Sequence, residues 1–210
     1  MHNFDTEPFA LEYHQKRLLA FKGEDVIKNN IVFAGCSITE FGKWNELLNV
    51  SSVINRGIAG DNSFGLLKRI EGIINLQPSK LFISIGINDI AKNIPIHLTA
   101  QNICSSVKLM KKGSPETKIF VHSILPTNSI NRQNRNEIVA HYNKNDKVLE
   151  INAALKKIST EIDFTFIDLS SLFQDDDKNL KIEFANQDGL HLNGMGYEIW
   201  ASYLNENYFS

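Results

Sequence analysis

Cysteine is scarce. The chain holds two in 210 residues, and Cys36 and Cys104 match no zinc or redox spacing. They read as buried free thiols rather than a disulfide, so nothing demands an oxidising compartment. Charge of one sign is missing as well: 22 basic residues stand against 24 acidic ones, a formal net charge of -2, scattered along the sequence. Without a basic stripe to neutralise phosphates, nucleic acid is not expected as a partner. Long apolar runs are absent. Asp5, Glu7, Glu12, His14, Lys16 and Arg17 interrupt the segment from Met1 to Phe21, leaving no secretory h-region, and no later stretch resembles a membrane span. A cytoplasmic location is the expectation. No Gly-x-Gly-x-x-Gly, Gly-Lys-Ser/Thr or His-Glu-x-x-His pattern occurs, so neither a nucleotide nor a metal is expected, and no cofactor.

What is present is apolar content of 42%, enough for one sizeable core in a chain too short for two ordinary domains. One domain over residues 1–210 is expected, with residues 1–25 as an N-terminal helical extension suggested by Leu11, Leu18 and Phe21. Runs rich in β-branched and aromatic residues recur at Ile31 to Ala34, Val53 to Ile54, Leu81 to Ile85, Ile119 to Val121 and Phe164 to Ile167, reading as buried parallel strands. Between them lie stripes of helical spacing: Leu66, Ile70, Ile73; Ile103, Val107, Met110; Val148, Ile151, Leu155, Ile158; and finally Tyr197, Trp200, Leu204. Such alternation predicts an α/β fold, a doubly wound sheet of about five strands between two helical layers. Ligands of such sheets bind outside the carboxyl ends of the strands. The polar stretch Thr127 to Asp146 reads as a surface excursion near the site, either a solvated loop or a substrate contact.

The residues just past the strands are the unusual ones. Gly35-Cys36-Ser37-Ile38-Thr39 brings a serine to the end of the first strand, where it is more often a helix cap than a nucleophile. Asn55 to Ser63 follows the second strand with Gly57 and Gly60, a turn and helix start whose free N–H groups could hold an anion. Gly86-Ile87-Asn88-Asp89 puts an amide at the same edge, as a donor or an Asx turn. Near the end, Asp188-Gly189-Leu190-His191 can fold its carboxylate onto one imidazole nitrogen and leave the other facing outward, as a general base requires. Of the other histidines, only His122 also stands at the end of a predicted strand, and it ranks behind His191.

Four segments, Phe33 to Glu40, Asn55 to Ser63, Gly86 to Asp89 and Asp188 to Asn193, resemble in order the motif blocks of SGNH (GDSL-like) hydrolases, in the acetylhydrolase-like and lysophospholipase-like branch. Trp44 and His122-Ser123-Ile124-Leu125-Pro126 add to the likeness. The resemblance implies a flavodoxin-like α/β/α fold. It implies Ser37 as nucleophile, His191 as base and Asp188 as its orienting partner. It also implies an oxyanion hole made of the Ser37 and Gly60 backbone N–H groups and the Asn88 side chain. One position departs from the family pattern: its usual Gly-Asp-Ser reads Gly35-Cys36-Ser37, so the hydrogen bonding beside the serine is expected to differ. Cys36 itself is disfavoured as a nucleophile because its side chain should point away from that of its neighbour.

The expected activity is therefore hydrolysis of small acyl esters, acetyl esters of carbohydrates or similar alcohols first, through an acyl-serine. Alternatives on the same scaffold are a lysophospholipase or thioesterase, an acyltransferase, or a non-catalytic carbohydrate-binding module. The expected partner is a small-molecule ester; the substrate-binding residues cannot be named from the sequence.

Overall fold

The computed structural model describes residues 4–24, 28, 30–50, 52–129 and 136–209. The apolar runs form strands β1 (Ile31–Gly35), β2 (Val53–Gly57), β3 (Lys80–Ser84), β4 (Lys118–His122) and β5 (Thr165–Ile167). All pairings are parallel, and the spatial order is β2-β1-β3-β4-β5. The boundaries differ from the sequence reading at the ends: β2 runs on through Arg56 and Gly57, while Ile85 and Phe164 fall outside their strands.

Nine α-helical segments are described: α1 (Leu11–Lys22), α2 (Ser37–Glu40), α3 (Trp44–Leu47), α4 (Ser63–Ile74), α5 (Ile87–Ala91), α6 (Ile96–Gly113), α7 (Asn145–Ile158), α8 (Ser170–Phe173) and α9 (Gly194–Tyr208). The chain leaves β1 in one direction to make β2 and returns past β1 to make β3. Right-handed crossovers then put the connecting helices on opposite faces. α4 packs beside α6 and α6 beside α7, while α3 packs against α9. The stripes Leu66, Ile70, Ile73 and Val148, Ile151, Leu155 are buried, as their 3.6-residue spacing requires. No helix among the described residues is long and apolar enough to cross a membrane.

α1 departs from its reading. The residue it buries is His14, and Leu11 and Leu19 stay exposed. A polar partner inside the protein, Asp61, decides which face turns inward: its Oδ1 lies 3.2 Å from His14 Nε2.

The register places Phe33, Phe82 and Phe120 side by side on three neighbouring strands. They stack at centroid distances of 4.8 and 4.6 Å, and the two-residue period of β4 puts His122 on the same face as Phe120. There His122 stacks on Phe82 at 5.6 Å and meets the edge of Trp200 from α9 at 5.2 Å. It is buried, and neither ring nitrogen has a hydrogen-bond partner among the described residues. Burial pushes its pKa down to about 3, so the ring folds neutral. Strand alternation sends this histidine into the core rather than to the sheet edge.

A stability effect follows. Unfolded, a histidine titrates near 6.5; folded, this one titrates near 3. As pH falls below 6.5 the unfolded chain takes up a proton that the folded chain refuses, so folding loses about 1.4 kcal/mol per pH unit until the folded value is approached. Denaturant titrations should therefore show the His122→Phe variant losing about 2 kcal/mol less than wild type between pH 7 and pH 5. Equal losses would mean that the ring does not fold neutral.

Candidate active site

The order of the strands creates the crevice. β1 sits where the chain reverses its direction of travel across the sheet, and a doubly wound sheet binds its ligands at such a switch point, outside the carboxyl ends of the strands. Ser37, Gly60 and Asn88 follow β1, β2 and β3 in turn. The loops are tied together: the backbone N–H of Ile58 donates to Gly35 O at 3.0 Å, and the Asn88 side chain donates to Asp61 O at 2.7 Å.

Ser37 is not the cap of α2. That position belongs to Cys36, which makes no side-chain capping bond. The Ser37 hydroxyl instead lies 2.8 Å from Nε2 of His191. On the far side of the ring, Nδ1 is 2.7 Å from Oδ2 of Asp188. The other carboxylate oxygen accepts from the backbone N–H groups of Leu190 at 3.0 Å and His191 at 2.9 Å, so the turn folds around its own acid. Burial pushes the Asp188 carboxyl up, but the His191 ring and the two backbone donors outweigh it and hold the pKa at about 2.

The turn carrying this pair depends on glycine. Gly189 has φ +64°, and a Cβ there would sit 1.8 Å from Asn128 O. Asn128 N donates to Gly189 O at 2.7 Å, and the Tyr142 hydroxyl donates to Asp188 O. Both partners come from the polar stretch expected to be a surface excursion. Thr127, Asn128, His141 and Tyr142 are buried while Val139, Ala140, Asn143 and Asp146 are exposed, and residues 130–135 lie outside the described ones. Asn145 holds the base of the stretch, accepting from Thr127 N at 2.9 Å and donating to Thr127 O at 2.8 Å.

Around Gly60 the chain adopts φ +78°. Its carbonyl accepts from Phe9 N at 2.9 Å, and the neighbouring Ala59 N–H donates to Glu40 Oε2 at 2.6 Å. Glu40 is held in turn by Arg17 at 3.0 Å and by the Tyr13 hydroxyl at 2.6 Å. Neither the Ser37 nor the Gly60 backbone N–H has an acceptor among the described residues. The start of α4, by contrast, is no open anion site. Asn62 caps Gly65 N at 3.0 Å, and Asp89 accepts from both the N–H and the hydroxyl of Ser63. Burial raises the Asp89 pKa to about 6 against the pull of those Ser63 bonds.

Cys36, which stands where a carboxylate is usual, is buried in the apolar core near Tyr197. Burial pushes its thiol up to about 11, so no thiolate competes with the serine at neutral pH. Several residues that position this edge escaped the sequence reading. Glu40 lies inside the first motif block but shows no local pattern. No predicted strand ends at His141, yet its Nε2 lies 2.8 Å from Asn88 Oδ1.

A hydroxyl bonded to an imidazole whose second nitrogen meets a carboxylate can pass its proton to the ring as the oxygen attacks a carbonyl carbon. Comparison with known proteins agrees with that chemistry. The family model described as GDSL-like Lipase/Acylhydrolase family matches residues 33–199. Among solved structures, a protein from Streptococcus pneumonia whose name refers to platelet activating factor is 26% identical, with TM-score 0.82 and 94% of each chain covered. A GDSL-like lipase from Bacteroides thetaiotaomicron is 26% identical, with TM-score 0.74, over 92% of this chain and 95% of that one. A lipase/acylhydrolase from Enterococcus faecalis shares the fold at 20% identity and TM-score 0.68, over 85% and 94% of the two chains. No curated protein matches the chain significantly. With the motif segments inside the matched range, the chain belongs to the GDSL-like lipase/acylhydrolase family and is an SGNH-type serine hydrolase acting on ester substrates.

Proposed function

We propose that the protein cleaves esters of short acyl groups, acetyl esters of carbohydrates or similar alcohols above all, through an acyl-serine intermediate. The observation that carries this reading is the relay from Asp188 through His191 to Ser37, at 2.7 and 2.8 Å. Ser37 attacks the carbonyl carbon while His191 takes its proton; the same imidazolium then protonates the departing alkoxide. Water repeats the sequence on the acyl-serine. Asp188 keeps the proton on Nδ1, so that Nε2 stays open to accept. The charge that develops on the carbonyl oxygen is met by the N–H groups of Ser37 and Gly60 and by the second amide hydrogen of Asn88.

Two features favour a small acyl group and a larger alcohol. Ser37 is 8% exposed and Asn88 5%, which favours a small acyl group beside them. Outside, Phe41 is 52% exposed with its ring 5.2 Å from that of His191, a flat apolar face on which a sugar or similar alcohol can rest. A series of p-nitrophenyl esters tests the acyl side. kcat/KM should be highest for acetate and fall at least about tenfold by octanoate, since a pocket resolves single methylenes at about 1–3 kcal/mol. Acetylated sugars should then release acetate. A rise in kcat/KM with chain length would overturn the short-acyl assignment.

A further inference from the structure

We infer that His141 is a positioning residue for the oxyanion donor: it fixes the orientation of the Asn88 amide and polarises it. The inference rests on the reading of Asn88 as a donor to the reacting carbonyl.

The orientation of that amide follows from its neighbours. Asn88 is buried, with one end of its side chain 2.7 Å from the backbone oxygen of Asp61 and the other 2.8 Å from Nε2 of His141. A backbone carbonyl can only accept, so the end facing Asp61 is the NH2 group. The amide oxygen therefore faces His141, and Nε2 of that ring must carry a hydrogen to donate to it. One amide hydrogen is then spent on Asp61. The other is left for a substrate oxygen, in a plane set by two fixed bonds. Had the imidazole offered a lone pair at Nε2, the amide would have been pulled to rotate, setting its oxygen against that of Asp61.

The second effect is electronic. A donor on the amide oxygen draws charge from the nitrogen and strengthens its N–H groups as donors, the cooperativity of linked hydrogen bonds. That strengthening grows in value as the substrate oxygen becomes negative, so it acts on the transition state more than on the bound ester. The imidazole is itself held. Phe9 lies against it with centroids 5.5 Å apart, and the backbone N–H of Phe9 donates to Gly60 O at 2.9 Å. One residue of the N-terminal segment thus braces the supports of two donors. The next residue along, Tyr142, bonds the backbone of Asp188, so adjacent side chains brace the oxyanion side and the acid–base side of the same crevice.

The test compares His141→Leu, which cannot donate, with His141→Gln, which can, each alone and with Asn88→Ala, using p-nitrophenyl acetate. Asn88→Ala should lower kcat about 10²–10³-fold, the usual cost of one such donor. His141→Leu should lower kcat about 10-fold with KM changed less than about twofold, and His141→Gln should recover most of the loss, because the effect runs through one hydrogen bond. In the Asn88→Ala background, His141→Leu should cost nothing further. Equal losses in both backgrounds, or no loss in either, would overturn the role of His141. Unchanged kcat in Asn88→Ala alone would strike the oxyanion reading itself and this inference with it. A measurement on the wild-type protein stands apart from the folding of any variant: the ¹⁵N spectrum of the His141 ring should show a protonated Nε2, and a ring with a bare Nε2 would sink the proposal.

Discussion

Ser37→Ala is expected to lower kcat for p-nitrophenyl acetate by on the order of 10⁵-fold, with KM little changed. The alanine removes the only protein atom that forms a bond to the acyl carbon in the proposed mechanism, while His191 and the oxyanion donors remain. What is left is the smaller acceleration that donors and binding provide for attack by water, about 10³–10⁴ over solution. The same variant should not be labelled by a fluorophosphonate, which the wild-type hydroxyl should capture, because phosphonylation needs a serine beside a working base. Retained turnover together with labelling elsewhere would remove Ser37 from the mechanism.

Asp188→Asn should lower kcat about 10⁴-fold near neutral pH, although asparagine has nearly the same shape. The reason lies in the turn. Oδ1 of Asp188 accepts from two backbone N–H groups, of Leu190 and His191. An asparagine at 188 must therefore put its oxygen there and its NH2 toward the His191 ring. Nδ1 would then accept rather than donate, which moves the ring proton to Nε2, where it faces Ser37 and blocks proton removal. The wild-type carboxyl, with a pKa of about 2, stays ionised above about pH 4. Protonation of Asp188 should accordingly leave no inflection in the kcat profile above about pH 4. Full activity in Asp188→Asn would contradict the tautomer argument.

Both predictions depend on an arrangement that is partly local. Asp188 and His191 are three residues apart, and a single turn brings their side chains together, which is why the spacing could be read directly. Ser37 lies 154 positions from His191, and in the sequence only the order of the motif segments ties the two. The five strands were legible for the same reason as the turn: alternating apolar runs and helical stripes are properties of neighbouring residues. Strand ends were less so, because β2 is prolonged through Arg56 and Gly57 by pairing with β1, not by its own residues.

The sequence alone determined the α/β class, the alternation of strands with amphipathic helices, and the identity of the residues at the carboxyl ends of the strands, since each is written in short windows by periodicity and turn chemistry. Tertiary structure decided which way the buried polar groups face. His122 and His141 carry the same side chain, yet strand alternation sends one into an aromatic core and a distant fold-back sets the other on Asn88, 53 residues away. In the polar segment from Thr127 to Asp146, Thr127, Asn128, His141 and Tyr142 turn inward while Val139, Ala140, Asn143 and Asp146 stay exposed, because hydrogen-bonded polar side chains bury as readily as they solvate. Where such groups find their partners depends on chain segments meeting in space, and no pattern of neighbouring residues encodes that meeting.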